Sequence, residues 1–365
     1  MKKTLLTASA ATLLAAQGFA VEVDLYGQVN KMLLGYDDGQ TTDVVVADND
    51  LSSTRFGLKG KQKLDNGLTA SVLFEAEMQS NPSDTFSQNF ATPQTQSLTP
   101  ASTTPVNFAE RQANVGLSGD FGGVYLGQLS TAIDGVLTQD LTGVKDVMGA
   151  NYRKIGGGLN FRTTAGANSG ITVRSMAETF DAVRADAIRY DSPIFNGFQG
   201  KLAVAQGGDL DGSVNYNGTA GDFKLKGAAG VHFNNDNTSV AANAISARYQ
   251  ASVSAKHTSG VAGTLAYSTA SLQNKAIGAN DPTNWYAKVG YAWDAYEVAA
   301  DYGRASHFRS VAAGDDTLTS YGLGGQWNLT DGVSAAAFFR NYDAEITGTA
   351  TDSINLYGVN MRVKF

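Results

Sequence analysis

The last nine residues of the chain, 357–365, read YGVNMRVKF. Their hydrophobic period is two, because Tyr357, Val359, Met361, Val363 and Phe365 alternate with glycine, asparagine and two basic residues. Successive side chains of a β-strand point to opposite faces of its sheet. The pattern therefore predicts a strand with one apolar and one polar face.

Similar alternation runs through residues 68–78, 223–233 and 285–294. Each stretch is about twice as long as a usual strand and close to the ~9–11 residues that cross a bilayer at a tilt. Trp285 and Trp293 share one face, and they lie roughly 20 Å apart along the membrane normal, near the two edges of an apolar band. A soluble β-sandwich also alternates, but it has no reason to place large rings at both ends of its apolar face.

Short and long connectors alternate along the chain. Seven short ones are rich in Asn, Asp and Gly, the residues of tight turns, and eight longer polar ones lie between them. We predict an all-β fold, a closed antiparallel transmembrane barrel of sixteen strands in one domain over residues 21–365, with both ends of that domain at the short turns. The strand near Val214 is poorly defined, so fourteen or eighteen strands stay open. The longest connectors cover residues 36–52, 79–107 and 129–186.

Residues 1–20 have the features of a cleaved secretory signal peptide. Lys2 and Lys3 precede an apolar stretch over residues 4–16, which is too short to span a bilayer, and small residues precede Val21. Removing this leader changes the formal charge from −7 to −9. The chain has no cysteine, which excludes disulfides and thiolate metal sites. It also lacks the basic patch that nucleic-acid binding requires, so we expect no metal, no other cofactor and no nucleic-acid partner.

Several short motifs resemble, in their order along the chain, the general bacterial porins of the Gram-negative outer membrane. The resemblance covers most of the chain after the leader. It implies an outer-membrane channel for ions and small hydrophilic solutes, without covalent chemistry, assembled as a homotrimer among lipid and lipopolysaccharide. It also implies a third loop folded into the barrel and a second loop, residues 79–107, that reaches a neighbouring subunit. The motifs are VDLYG at 23–27, STRFGLKG at 53–60, RQA at 111–113, FGGVYLGQ at 121–128, IRYDSP at 188–193 and the terminal Phe365.

The resemblance further implies a constriction where basic side chains of the wall face acids of the third loop. The acidic–aromatic–glycine motif of enterobacterial relatives is missing from this loop, so its acids are chosen by position alone. The loop candidates are Asp134, Asp140 and Asp146. The wall candidates are Arg55, Arg111 and Arg189. Lys59 is added because it is four residues from Arg55 and therefore lies on the same face of the strand.

Alternative functions stay open at this point. A solute-specific channel would show a ladder of aromatic or arginine side chains along its lumen. An outer-membrane enzyme or adhesin is the rival class, but two acids such as Glu75 and Glu77 are commonplace in a polar lumen, and the three histidines lack metal-ligand spacing.

The first loop is rich in acids, and the loop aspartates would offset the wall arginines, so the sequence favours a modest preference for cations.

Overall fold

The computed structural model describes residues 21–88, 108–178, 180, 184–235, 244–275, 278–309 and 315–365. The predicted signal peptide, residues 1–20, and most of the predicted second loop, residues 89–107, lie outside the described residues.

Strands make up most of the described chain, with two 3-10 helices at Val136–Thr138 and Tyr152–Lys154 and one short α-helix, α1, at Val173–Met176. The strands are β1 (Glu22–Asp37), β2 (Thr42–Asp48), β3 (Arg55–Lys63), β4 (Thr69–Met78), β5 (Phe108–Gly119), β6 (Gly122–Ser130), β7 (Asn160–Arg162), β8 (Asn168–Thr172), β9 (Arg184–Asp191), β10 (Phe198–Ala205), β11 (Leu210–Ala220), β12 (Phe223–Phe233), β13 (Ala244–His257), β14 (Val261–Gln273), β15 (Thr283–Trp293), β16 (Tyr296–Ser306), β17 (Thr317–Thr330), β18 (Val333–Glu345) and β19 (Ile354–Lys364).

All strands except β7 and β8 belong to one antiparallel sheet that closes on itself. β2 and β3 together occupy one position in this wall, because β2 pairs with the second half of β1 and β3 with its first half. The described wall therefore has sixteen strand positions, and β1 closes the barrel against β19. The predicted sixteen-stranded barrel is confirmed. Both ends of the described chain lie at the short turns, where Gly27 and Phe365 exchange two backbone hydrogen bonds.

Two segments predicted as loops contain more strand than expected. Residues 36–52 include the end of β1, the whole of β2 and the start of the break between β2 and β3. The predicted loop at 207–212 is shorter, because β11 begins at Leu210 and only residues 206–209 join it to β10. The strand around Val214 is regular along its whole length. On β1 and β2 the inner face is apolar as well, because Leu34, Tyr36 and Val45 pack against the third loop, so the sequence there does not alternate.

The apolar face of the wall points outward, as predicted. On β19, Val359 is 55% exposed while its neighbour Asn360 is 3% exposed. Near the short turns, the stacked rings of Tyr291, Trp293, Tyr296 and Trp327 form a row on the outer face, as an aromatic girdle does. No helix among the described residues reaches the length and apolarity needed to cross a membrane.

The third loop, described at residues 131–178 and 180, lies inside the barrel. It follows the inner wall from β11, where Ser213 donates to Ala132 O, past β13, where Ser252 donates to Val136 O, to β19. Its apolar side chains are buried against the strands from β14 round to β1, among them Met148 and Phe161. The inner face of β3–β6 therefore stays open to the lumen.

Candidate functional site

Asp140 joins the third loop to the barrel wall. Its carboxylate accepts hydrogen bonds from Lys288 Nζ of β15 at 3.0 Å and from the Thr264 hydroxyl of β14 at 2.8 Å. Lys288 is 1% exposed and also donates to the carbonyl oxygens of Gly143 and Met148. One buried ammonium group thus holds three points of the loop.

Asp146 makes a second junction of the same kind. Its side chain is fully buried and its Oδ1 lies 2.6 Å from Arg362 Nη2 of β19. The Ser334 hydroxyl of β18 donates to its other carboxylate oxygen, and Asn49 donates to its carbonyl oxygen at 2.6 Å. Both predicted loop acids therefore point into the wall, where their charges are neutralised by Lys288 and Arg362.

Tyr152 packs the middle of the loop against β15–β18. Its ring stacks on Tyr286, and its hydroxyl donates to Asn284 Oδ1 at 2.6 Å. The ring lies directly on Gly303, where a Cβ would occupy the same space. Tyr342, buried in β18, donates to the carbonyl oxygen of Tyr152. Glycine at residue 303 thus allows the loop to approach the wall closely.

The first ten residues of the predicted second loop, 79–88, contact the third loop of the same chain. The carboxylate of Asp84 pairs with Arg153 Nη1 at 2.9 Å, and the Ser83 hydroxyl donates to Lys154 O at 2.7 Å. Phe86 is 2% exposed and packs on Tyr36. This part of the loop therefore packs against its own barrel. The contact of the loop 79–107 with a neighbouring subunit stays a prediction, and residues 89–107 lie outside the described residues.

Arg55 and Arg111 form a charged cluster with two glutamates on the open wall. Arg111 Nε lies 2.7 Å from Glu75, its Nη1 also contacts Glu77, and Arg55 Nε lies 3.4 Å from Glu75. The strand register brings these residues together. Arg55 of β3 is directly opposite Glu77 of β4. Glu75 of β4 is opposite Gln112 of β5, and a bulge beside this pair turns Arg111 inward.

The third loop lies across the lumen from this cluster, and we call the space between them the narrow region. Arg55, Arg111 and Asp134 line one cavity of about 810 Å³, together with Arg184 and Arg248 of the wall. Asp134 Oδ2 lies 3.7 Å from Arg184 Nη2. Of the predicted constriction residues, these three are therefore brought together, with basic groups of the wall facing an acid of the loop.

Lys59 and Arg189 line a second cavity, of about 720 Å³, between the first cavity and the short turns. Arg189 pairs with Asp191 at 2.8 Å and lies over the ring of Tyr125, while Lys59 lies over the ring of Tyr26. Lys61 and Lys63 border the same cavity. These cations line an approach to the narrow region.

Several charged residues of the first cavity were missed from the sequence. Arg184 and Arg248 lie on the inner side of β9 and β13, so a full reading of strand parity would have found Arg248 at least. Arg153, which pairs with both Asp84 and Glu178, lies in a loop without periodicity, so no sequence signal marked it.

The residues considered for catalysis occupy ordinary structural positions. Glu75 and Glu77 are both bound by Arg111, and His232 lies between Asp209 and Asp211 at the ends of β11 and β12. Among the described residues, no group of three or more His, Cys, Asp or Glu is placed to hold a metal ion.

Solved structures with the same fold are numerous, and the three named here share little sequence with this chain. An anion-selective porin from Comamonas acidovorans is 17% identical, with a TM-score of 0.63 over 95% of this chain and 100% of that one. The trimer form of OmpT, an outer membrane protein of Vibrio cholerae, is 16% identical, with a TM-score of 0.60 over 95% and 100%. A mutant porin of Rh. blastica is 17% identical, with a TM-score of 0.55 over 94% and 100%. No curated protein matches the chain.

A closed barrel with an apolar outer face, a charged lumen and an inward-folded loop defines an outer-membrane diffusion channel. The sequence profile of the Gram-negative porins matches residues 4–347, and the chain belongs to this family. It is an outer-membrane porin.

Proposed function

We propose that this porin is a homotrimeric diffusion channel with a modest preference for small hydrophilic anions over cations, and that it has no catalytic activity. Arg55, Arg111 and Asp134 form its narrow point. Lys59 and Arg189 line the approach from the short turns, and Asp140 and Asp146 contribute by holding the third loop in place.

One observation supports the anion preference: acids of the lumen are mostly paired, whereas many of its cations are not. Asp50, Glu297 and Glu22 are exceptions among the described residues. Asp50 accepts hydrogen bonds from Gln79 and from the backbone of Asp84, and Glu297 accepts one from the backbone of Val144, while Glu22 lines the cavity next to the short turns. The paired acids are Glu75, Glu77, Asp134, Asp140, Asp146, Asp191 and Asp301. Among the described residues, the cations without a carboxylate in ion-pair contact include Lys145, Lys154, Lys224, Lys226, Arg248 and Lys256.

Because of this pairing we propose the opposite of the preference expected from the sequence. That expectation counted Asp140 and Asp146 as charges offered to solutes, but their neutralisation by Lys288 and Arg362 leaves Asp134 as the remaining loop candidate. Acidic outer loops still attract cations, although salt screens them within ~8–10 Å. The narrow lumen is less screened, so its excess of cations decides the sign.

Reversal potentials of single channels in a potassium chloride gradient test the proposal. We expect anion preference that persists at high salt and weakens at low salt, where the acidic outer loops act over a longer range. Cation preference at every salt concentration would contradict it.

The assembly is proposed on the family and on the resemblance to solved porins, one of which is described as a trimer. Residues 21–365 would form one barrel domain per subunit, in contact with outer-membrane lipid and lipopolysaccharide, after removal of residues 1–20. Native mass measurement should give three copies, and the mature chain should begin at Val21. A native mass of one subunit would refute the trimer.

A further inference from the structure

Two lysines face each other on the lumen side of β12 and β13. Lys224 is directly opposite Lys256 in the strand register, and directly opposed like charges destabilise a sheet. Lys226 follows on the same face. The third loop reaches this part of the wall, where the backbone N–H of Leu141 donates to the Ser254 hydroxyl of β13 at 2.8 Å, and Lys145 follows four residues later in the loop. In the described part of the chain, no carboxylate makes an ion pair with any of these four ammonium groups. We call these four residues the lysine cluster.

The lysines of β3 differ in this respect. Lys59 and Lys61 are directly opposite Asp24 and Glu22 of β1, so acids on the neighbouring strand balance them. Asp140, in the same loop as Lys145, is already bound by Lys288 at 3.0 Å. The lysine cluster therefore carries a repulsion that no ion pair in the described chain offsets, and an anion entering it would relieve that repulsion.

We propose that the lysine cluster binds compact multivalent phosphate-type anions, such as inorganic phosphate and pyrophosphate. This inference rests on the proposed anion-conducting function and assigns a solute class to it. Lysine binds phosphate as a compact point charge, without the planar fork by which arginine binds carboxylates and phosphates in two hydrogen bonds. Several ammonium groups close together therefore favour a compact anion with more than one charge. The cluster contains no arginine, and Thr219 and Asn217 of β11, opposite Lys224 and Lys226, add neutral polar groups.

The site lies near the short-turn mouth of the channel, since Lys224 directly follows the first residue of β12 and Lys256 precedes the last residue of β13. It is separate from the narrow region formed by Arg55, Arg111 and Asp134. Anions that pass the narrow region would thus meet a second, more strongly charged position before leaving the barrel.

Block of the chloride current by pyrophosphate tests the site. Reconstituted porin should be blocked by pyrophosphate, and more strongly when it is added on the short-turn side. The double variant Lys224→Gln with Lys256→Gln should raise the half-blocking concentration by at least about tenfold. The matched double variant Lys61→Gln with Lys63→Gln removes the same charge from β3 and should change it by no more than about twofold.

The outcomes separate this site from the proposed selectivity. The site would be overturned if the native channel prefers anions but is not blocked by pyrophosphate. It would also be overturned if both double variants weaken the pyrophosphate block equally. Equal block by succinate and pyrophosphate would overturn the phosphate class. A channel without anion preference whose block still depends on Lys224 and Lys256 would overturn the selectivity and support the site. Should the double variant not assemble, Lys145→Gln, in the loop, should weaken the block in the same direction, and an unchanged block would count against the site.

Discussion

Arg340 Nη2 of β18 lies 2.7 Å from Asp301 Oδ2 of β16, and both side chains are buried behind the third loop. Arg340 also donates to the Ser320 hydroxyl, and the hydroxyl of Tyr286 donates to Asp301. The pair therefore lies beneath Tyr152, at the point where the loop packs most closely on the wall.

Removing the charge of Arg340 should destabilise the barrel strongly. Arg340→Gln leaves the carboxylate of Asp301 buried without its partner, and breaking a buried pair in this way costs about 3–5 kcal/mol. Urea unfolding of the porin folded into lipid vesicles measures the difference. Lys275→Gln, which breaks an exposed pair with Asp281, is the control and should cost less than about 1 kcal/mol. Equal stability of the two variants would show that the buried pair is not an anchor.

Charge on the outer face should also be costly. Leu323 is 61% exposed on the outer side of β17, so Leu323→Arg places a cation in the hydrocarbon region and should lower the free energy of unfolding by ~2–4 kcal/mol. Gln112→Arg adds the same side chain to a polar cavity of the lumen and should be tolerated. Similar losses for the two variants would mean that the assignment of the faces is wrong.

The wall of this barrel could be predicted from the sequence because lipid and water impose opposite demands on alternate residues. This is why the apolar residues Trp285, Val289 and Trp293 alternate with residues of the lumen face. The connectors between such stretches then give the strand count. Where the third loop covers the inner face, apolar residues occupy both faces of a strand and the alternation is lost, so the prediction fails at the β1–β2 hairpin.

The charged interior could not be predicted in the same way. Asp140 and Lys288 are 148 residues apart in the chain, and neither has a local pattern that indicates its partner. Position in the third loop therefore suggested a solute-facing role for Asp140, while its three-dimensional partners make it an anchor. Arg55 and Arg111 were chosen from the resemblance to the porins, and both line the lumen, Arg111 because a bulge turns it inward. Neither the resemblance nor the alternation of the strands reveals which acids pair with them.

Acid should loosen the contact between the first hairpin and the third loop. Asp38, at the tip of the β1–β2 hairpin, is buried, which raises its pKa. The hydrogen bonds from Arg162 Nε at 2.9 Å and from the backbone N–H of Thr41 outweigh this effect, so the pKa of Asp38 lies below its ordinary value. The stabilisation is therefore complete above the unfolded pKa of about 3.9 and is lost as the pH falls through the lower folded value.

Hydrogen exchange of the β1–β2 hairpin measures this loss. Protection should fall on acidification of the wild-type protein below about pH 4. In Asp38→Asn, which has no carboxyl group to titrate here, protection should be lower at neutral pH and should change less with acid. Parallel profiles for the two proteins would exclude Asp38 as the responsible group.

The narrow region should respond to single charges with a predictable sign. Arg55→Gln removes one cation from the cavity that Arg55 shares with Arg111 and Asp134, and it releases Glu75 from one of its two arginines. We expect the ratio of anion to cation permeability to fall by roughly twofold or more, because the narrow point is where solutes are least hydrated. Asp134→Asn should shift the ratio in the opposite direction. Arg304, opposite Trp285 on the outer face, supplies the control, since Arg304→Gln changes the same charge away from the lumen and should leave the reversal potential where it was. A reversal potential that Arg55→Gln does not move would remove Arg55 from the constriction, and a shift of the same size from Arg304→Gln would show that the effect arises from the overall charge of the porin and not from its pore.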